Sequence, residues 1–471
     1  MYCVIYSFSF YFVAFVQDET AYTYPAKTAL LAHLNNLTDS LNSLITLEVS
    51  GRYLTCLPAS IGDLTSLCWL NVYDNDLNYL PYSIGCLISL THLNVCHNQL
   101  TSLPSSMGNL ISLTHMDMNR NNLTCIPDWI GNLTSLTHLD VGANQLTPLP
   151  DSIGSLVSLK YLNVYSNDLT CIPDWIGNLT SLECLDVHYN KLTHLTSFPD
   201  SIGNLTALKY LEAYETELTC LPNWIGNLIS LTGIDIHGNE LSCLPDSIGR
   251  LISLTKLNIS KNELNCLPDS IGNLRSLTKL DASNNRLTHL LESIGRLTSL
   301  TDLNVCCNRM KCLPESFCNL TSLAKLNIGG NKLTGLPDSI GNLRYLTELI
   351  ASGNKLTHLP DIIGNLTSLK NLYLSDNQIT HLPESIWRLT SLIHLDVNGN
   401  ELTHIPDSIG NLTSLKNLCF SENQLSHLPG SIGNLTSLEW FAIRNNHITS
   451  TQESMDEIMR RFGRAGLNIR C

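Results

Sequence analysis

Residues 90–100 read LTHLNVCHNQL, and this stretch decides how the chain folds. Leu93 and Val95 are two residues apart, which is the period of a short strand that turns one face inward. Asn98 follows where such a strand would end, and its amide can bond backbone groups that a bend leaves unpaired. The stretch therefore predicts a short strand that ends in a bend held by asparagine.

The same pattern recurs every 23 residues along most of the chain. Counting from the position of Asn98 gives 18 repeats, and 16 of them carry asparagine there, the exceptions being Arg52 and Thr216. A three-residue insertion, 196–198, precedes the repeat that contains Thr216. Of the 18 prolines, 16 occupy one fixed later step, where a residue without an N–H suits a return segment outside the sheet. Because one coil cannot bury its own leucines, the repeats are predicted to stack and share a continuous core.

The full pattern, L-x-x-L-x-[LVI]-x-x-N-x-L-x-x-L-P-x-S-I-G-N-L-x-S, resembles the leucine-rich-repeat family over about residues 44–450. Its 23-residue length is similar to that of the intracellular Ras-group repeat proteins. The resemblance implies an α/β repeat solenoid, a right-handed horseshoe with a parallel β-sheet on the concave side and irregular or 3-10 segments on the convex side. It also implies a protein partner, since Ras-group relatives bind small GTPases, phosphatases or membrane-associated complexes.

Four segments are predicted along the chain: an apolar leader at 1–27, an N-terminal cap at 28–43, eighteen repeats at 44–450, and a C-terminal capping helix and tail at 451–471. The caps are expected because an open solenoid exposes its core at both ends. The leader has two interpretations, a disordered start or a signal peptide. Against the signal peptide, no lysine or arginine precedes its apolar run and no clear small-residue cleavage site follows.

Composition limits which classes of partner and which cellular compartment are expected. The formal net charge of −14 argues against nucleic acid, because binding to phosphates requires a basic surface. No run of about 18 apolar residues predicts a membrane-spanning helix. Most of the 17 cysteines lie inside the repeats and not in clusters at the ends, which favours reduced thiols. We therefore expect a cytoplasmic monomer, with a secreted protein as the alternative if the leader is a signal peptide.

The predicted partner-binding surface consists of the strand positions six, four and two residues before each marker asparagine. From the second to the ninth repeat these positions are rich in tryptophan, tyrosine, histidine and acids, and aromatic residues often concentrate binding energy at interfaces. The predicted binding residues are Trp69, His92, His115, His138, Tyr161, Tyr165, Asp186, His188, Tyr210, Glu212, Tyr214, Asp235 and His237. Two alternatives stay open. Aromatic residues are favoured on strands in any case, and the later lysines Lys256, Lys261, Lys279 and Lys325 offer a second binding surface.

Several patterns look chemical. The residue four positions after the marker is cysteine or histidine in 13 repeats, but a straight column spreads ligands in a line, whereas zinc requires a tetrahedron. We therefore predict no metal and no cofactor. The serines and histidines occupy repeat positions and form no separate pair of nucleophile and base, and the sequence contains no phosphate-binding loop. We therefore predict no catalytic residue and no enzyme. Trp129, Trp175 and Trp224 replace serine in three repeats and form either a second contact surface or, as we prefer, convex packing.

Overall fold

The computed structural model describes residues 44–192 and 198–448, together with the backbone of Asn468–Arg470. The predicted leader at 1–27, the cap at 28–43 and the helix expected after 451 lie outside the described residues. The chain divides into two compact units, an N-terminal unit that ends at Thr216 and a C-terminal unit that begins at Glu217. No helix among the described residues has both the length and the apolar character needed to cross a membrane.

The N-terminal unit contains a parallel sheet of eight three-residue strands. They are β1 Thr46–Glu48, β2 Trp69–Asn71, β3 His92–Asn94, β4 His115–Asp117, β5 His138–Asp140, β6 Tyr161–Asn163, β7 Cys184–Asp186 and β8 Tyr210–Glu212. Up to β7 each residue pairs with the equivalent residue of the next repeat, as His92 does with His115. The insertion lengthens the last step, so Asp186 pairs with Glu212.

The C-terminal unit repeats this arrangement, again with parallel pairing between successive strands. Its strands are β9 Gly233–Asp235, β10 Lys256–Asn258, β11 Lys279–Asp281, β12 Asp302–Asn304, β13 Lys325–Asn327, β14 Glu348–Ile350, β15 Asn371–Tyr373, β16 His394–Asp396, β17 Asn417–Cys419, β18 Trp440–Ala442 and β19 Asn468–Arg470. The strand β19 pairs in parallel with β18. The predicted parallel sheet of a repeat solenoid is confirmed in both units.

Short 3-10 helices form the return segments, and the described residues contain no α-helix. They are Ala59–Asp63, Tyr82–Cys86, Ser105–Asn109, Asp128–Asn132, Asp151–Ser155, Asp174–Asn178, Asp200–Asn204, Asn223–Asn227, Asp246–Arg250, Asp269–Asn273, Glu292–Arg296, Glu315–Asn319, Ile340–Asn342, Asp361–Asn365, Glu384–Arg388, Asp407–Asn411 and Gly430–Asn434. Proline precedes most of them; Pro81, for example, holds extended backbone at φ −66°.

Glycine in the Ser-Ile-Gly step allows neighbouring coils to approach closely. A Cβ added to Gly85 would lie 2.3 Å from the carbonyl oxygen of Ser106 in the next coil. Trp175 and Trp224, which occupy the serine position two residues before this glycine, are buried. The packing interpretation of these two tryptophans is therefore correct, whereas Trp129 is partly exposed.

The marker asparagines join each coil to the one before it. The Asn98 amide nitrogen donates to the Val72 carbonyl at 3.0 Å and to the Val95 carbonyl at 3.1 Å. Its amide oxygen accepts from the Leu77 N–H at 3.0 Å. In the repeat with threonine at the marker, Thr216 Oγ1 donates to the Ala213 carbonyl at 2.9 Å. The predicted role of the asparagine is confirmed, because it satisfies backbone groups at the bend.

Candidate functional site

Alternation along each strand separates the core from an exposed sheet face. In β3, the central Leu93 is buried while His92 and Asn94 on either side are partly exposed. We call the positions six, four and two residues before the marker the sheet face. All thirteen predicted binding residues lie on it, and each is at least partly exposed to solvent. Eleven of them belong to the N-terminal unit, and Asp235 and His237 belong to the C-terminal unit.

Five of these side chains form a continuous stack in the N-terminal unit, which we call the first ring ladder. Its members are Trp69, His92, His115, His138 and Tyr161, one from each of β2 to β6. Neighbouring ring centroids are 4.5, 4.2, 4.1 and 4.2 Å apart, and neighbouring planes differ by at most 22°. Because each inner ring has a neighbour on both faces, a binding partner would meet ring edges.

A second ring ladder lies at the position two residues before the marker. The His188 ring is stacked between Tyr165, at a centroid distance of 4.8 Å, and Tyr214, at 4.1 Å. Tyr189 meets His188 and Tyr214 edge-on, at 5.2 and 5.5 Å. Tyr189 was not among the predicted binding residues, because it lies directly before the marker, outside the three positions assigned to the face. Its left-handed backbone, with φ 51°, marks the bend there.

Threonine hydroxyls fix the hydrogen positions on the first ladder. Thr91 Oγ1 lies 2.9 Å from the Cys68 carbonyl oxygen and 2.9 Å from His92 Nδ1. A carbonyl only accepts, so both contacts are hydrogen bonds only when the hydroxyl donates to Cys68 and Nδ1 carries the imidazole proton. Thr114 Oγ1 likewise contacts the Thr91 carbonyl and His115 Nδ1, and Thr137 Oγ1 contacts the Thr114 carbonyl and His138 Nδ1. The Nε2 atoms on the opposite ring edges are then hydrogen-bond acceptors.

These three histidines are neutral near pH 7. Burial, followed by the neighbouring His115, lowers the pKa of His92 to about 4. Burial, again followed by His115, lowers the pKa of His138 to about 4, and burial lowers the pKa of His115. A charged imidazolium inside the stack would lose hydration and repel its neighbours. The first ladder therefore offers uncharged edges at neutral pH.

Two carboxyl groups lie side by side at the position four residues before the marker. Asp117 and Asp140 are register partners on β4 and β5. Burial raises the pKa of Asp117 to about 6. Burial, and then the charge of Asp117, raise the pKa of Asp140 to about 7. Asn119 and Asn163 donate to Asp140 Oδ2 at 3.2 and 3.1 Å.

Two aspartate and histidine pairs occupy equivalent positions in the two units. In the N-terminal unit His188 Nδ1 contacts Asp186 Oδ1, and in the C-terminal unit His237 Nδ1 lies 2.6 Å from Asp235 Oδ1. Three side chains bring potential metal-binding atoms together, one from each residue and all within 4.8 Å of one another: Asp186, His188 and Glu212. These three residues were predicted to lie on the face, but their convergence was not predicted.

The other patterns singled out in the sequence do not contribute rings to the two ladders. The cysteines four residues after the marker are free thiols, and most of them are exposed, including Cys220, Cys243 and Cys266. His194 of that column lies outside the described residues. The lysines Lys256, Lys261, Lys279 and Lys325 are exposed in the C-terminal unit. The two units thus present different chemistry on equivalent positions.

Comparison with known proteins gives a consistent result. The family model described as a leucine-rich repeat region matches residues 96–198, 194–311, 285–377 and 358–461. None of the curated proteins compared with the chain matches it. Among solved structures, the LRR protein LIC12759 of Leptospira interrogans is 30% identical, with a TM-score of 0.73, and the match covers 96% of this chain and 100% of that one.

Two further solved structures with similar scores are complexes. The plant peptide hormone receptor RGFR1, in complex with RGF2, is 30% identical with a TM-score of 0.70, and the match covers 85% of this chain and 74% of the receptor. The PEPR1–AtPEP1 structure is 29% identical with a TM-score of 0.72, and the match covers 89% of this chain and 62% of that one.

Proposed function

Because this chain belongs to the leucine-rich-repeat family, we propose that it is a protein-interaction scaffold or regulator in intracellular signalling. The repeats of this family are generally interaction modules and not enzymes. The 23-residue spacing supports assignment to the Ras-group type, whose relatives bind small GTPases or phosphatases. The protein acts in the cytoplasm as a monomer and binds its protein partner on the sheet face of the N-terminal unit.

The two ring ladders carry this proposal. Stacking already holds the tyrosine and histidine rings in place. Little side-chain conformational entropy is therefore lost when a partner contacts them. The ladders also bring aromatic rings into contiguous rows, and aromatic residues dominate the small number of contacts that contribute most to binding. Trp69 and Tyr210 are the most exposed of the predicted residues, at 38% and 39%.

The chemistry of the face favours a partner surface that presents hydrogen-bond donors. The Nε2 edges of the first ladder accept hydrogen bonds, and Asp186 and Glu212 add carboxylates beside the second ladder. Arginine suits both groups, because its guanidinium N–H groups donate to carboxylates and to the Nε2 acceptors. A basic protein segment is therefore the expected partner, in keeping with the net charge of −14.

The deciding experiment begins with affinity capture of the full-length protein from its own cells, with the partner identified by mass spectrometry. Binding of the purified partner is then measured for a variant in which Tyr161, Tyr165, Tyr210 and Tyr214 are changed to alanine. We expect affinity to fall at least about 100-fold, because several interface anchors are lost. The thermal midpoint should stay near that of the wild type, because these rings lie outside the core.

The matched control changes the exposed lysines Lys256, Lys261, Lys279 and Lys325 to glutamine. Affinity should remain near that of the wild type if the partner binds the ring ladders. If the tyrosine variant bound as well as the wild type and the lysine variant lost affinity, the binding surface would lie on the C-terminal unit.

A second candidate function is a secreted or cell-surface recognition receptor that uses the same face. It is favoured by the 30% identity to RGFR1, which is a peptide hormone receptor. The sequence contains ten Asn-x-Ser/Thr sites, and Asn132, Asn178 and Asn204 are exposed. Intact mass of the protein from its own cells separates the two functions. Glycosylation and cleavage near residue 17 would support the receptor, whereas an unmodified chain would support the cytoplasmic scaffold.

A further inference from the structure

We propose that Asp186, His188 and Glu212 form a binding site for a divalent transition-metal ion such as zinc. One ligand atom from each residue lies within 4.8 Å of the other two. Imidazole and carboxylate groups are established ligands of zinc, which binds nitrogen and oxygen at about 2.0–2.2 Å. This inference does not depend on the proposed protein partner.

The sheet brings the three ligands together from two neighbouring strands. Asp186 and Glu212 are direct register partners on β7 and β8. His188 follows Asp186 by two residues, so it returns to the same side of the sheet. Like charges that face each other across a strand pair are unfavourable. A bound cation would turn this repulsion into attraction, because both carboxylates would contact the same positive charge.

The histidine ring is held in an orientation suited to a ligand. Its two faces are stacked against Tyr165 and Tyr214. Its Nδ1 atom already contacts the Asp186 carboxylate, and the side chains of Asp186 and His188 are only 15% and 12% exposed. Three protein ligands leave a fourth coordination position for water or for a partner side chain.

The C-terminal unit contains the same pair without the third ligand. Asp235 and His237 match Asp186 and His188, but Asn258 stands where Glu212 stands in the N-terminal unit. The Asn258 amide nitrogen donates to Asp235 Oδ2 at 3.1 Å. An amide N–H directed at the pair occupies the carboxylate and repels a cation. The two units therefore differ at this position by one carboxylate, and comparing them tests the contribution of Glu212 to metal binding.

The test is a titration of the metal-free, reduced, full-length protein with Co²⁺, followed by visible absorption. Exposed thiols also bind cobalt, so the wild type is compared with variants that retain every cysteine. Glu212→Asn installs the amide that the chain carries at Asn258 and should lose one cobalt equivalent, or weaken its binding at least about tenfold. Asn258→Glu should gain one equivalent beside Asp235 and His237.

Thermal unfolding provides the second readout. Co²⁺ should raise the thermal midpoint of the wild type by mass action and raise that of Glu212→Asn by less. The midpoints without metal establish that both variants fold. Identical cobalt binding by the wild type and Glu212→Asn, with a His188→Asn variant also unchanged, would overturn the proposal.

Discussion

The N-terminal and C-terminal units each have a core of the same pattern, and they differ in the side chains on their sheet faces. Both bury the same leucine positions, as Leu139 in one and Leu280 in the other are each 1% exposed. The sheet face of the N-terminal unit carries stacked rings and acids, whereas that of the C-terminal unit carries Lys256, Lys279 and Lys325. Core positions are constrained by stacking in every coil. Face positions escape that constraint, so their residues can differ between the units.

The position four residues before the marker shows this difference within one column. Asp117 and Asp140 are neighbours there in the N-terminal unit. In the C-terminal unit Asp281 is flanked in register by Asn258 and Asn304. The backbone geometry is equivalent, yet only the first arrangement places two carboxyl groups side by side. The repeat thus fixes where a side chain stands and leaves its charge free to vary.

The largest effect should come from the leucine positions that both units bury in their cores. Leu139→Ala and Leu280→Ala should each lower the free energy of unfolding by about 2–5 kcal/mol, because each leaves a cavity in a packed coil. Denaturant unfolding followed by circular dichroism measures both. If one variant lost a free energy of unfolding within about 2–5 kcal/mol and the other fell outside that range, the two cores would not be equivalent.

A smaller loss is expected where neighbouring coils touch through their backbones. A Cβ at Gly272 would lie 2.5 Å from the Ser293 carbonyl oxygen, so Gly272→Ala should cost about 1–3 kcal/mol of unfolding free energy. Gly335 in the same unit has no atom within 4 Å of an added Cβ, and Gly335→Ala is the matched control. Equal stability of the two variants would contradict the close approach as the reason for glycine.

The smallest effect concerns the charge that distinguishes the units. The pKa of Asp140 is raised to about 7 in the folded protein, so the folded state binds more protons than the unfolded state from about pH 4 to pH 7. Stability is therefore lost as pH rises through this window, and Asp140→Asn removes that loss. Relative to the wild type, the variant should gain about 1 kcal/mol or more between about pH 5 and pH 8.

Asp281→Asn is the control for this pH dependence, because its register neighbours are amides. Its gain over the same pH interval should be smaller than that of Asp140→Asn. Urea unfolding at both pH values gives the two differences. A gain for Asp281→Asn as large as that for Asp140→Asn would contradict burial and the charge of Asp117 as causes specific to Asp140.

The sequence was sufficient for the repeat, the strands and the role of the asparagines, because each depends on a pattern copied many times. It also placed Asp186, His188 and Glu212 on one face. It did not predict their convergence, since that depends on side-chain rotamers and on the register across the insertion. The raised pKa of Asp140 and the edge contacts of Tyr189 were missed for the same reason. Neither depends on local periodicity. The segments predicted at 1–43 remain predictions.

The asparagine bonds also bear on how such a chain changes length over generations. Asn98 reaches back 21 residues to Leu77 and 26 residues to Val72, and no farther than the preceding coil. In the C-terminal unit, Asn285 spans the same intervals to Leu264 and Ile259. A recombination event that copies or deletes a whole coil therefore leaves every remaining bond with a partner of the same kind. Unequal crossing-over between similar coding segments can extend the protein without redesigning it.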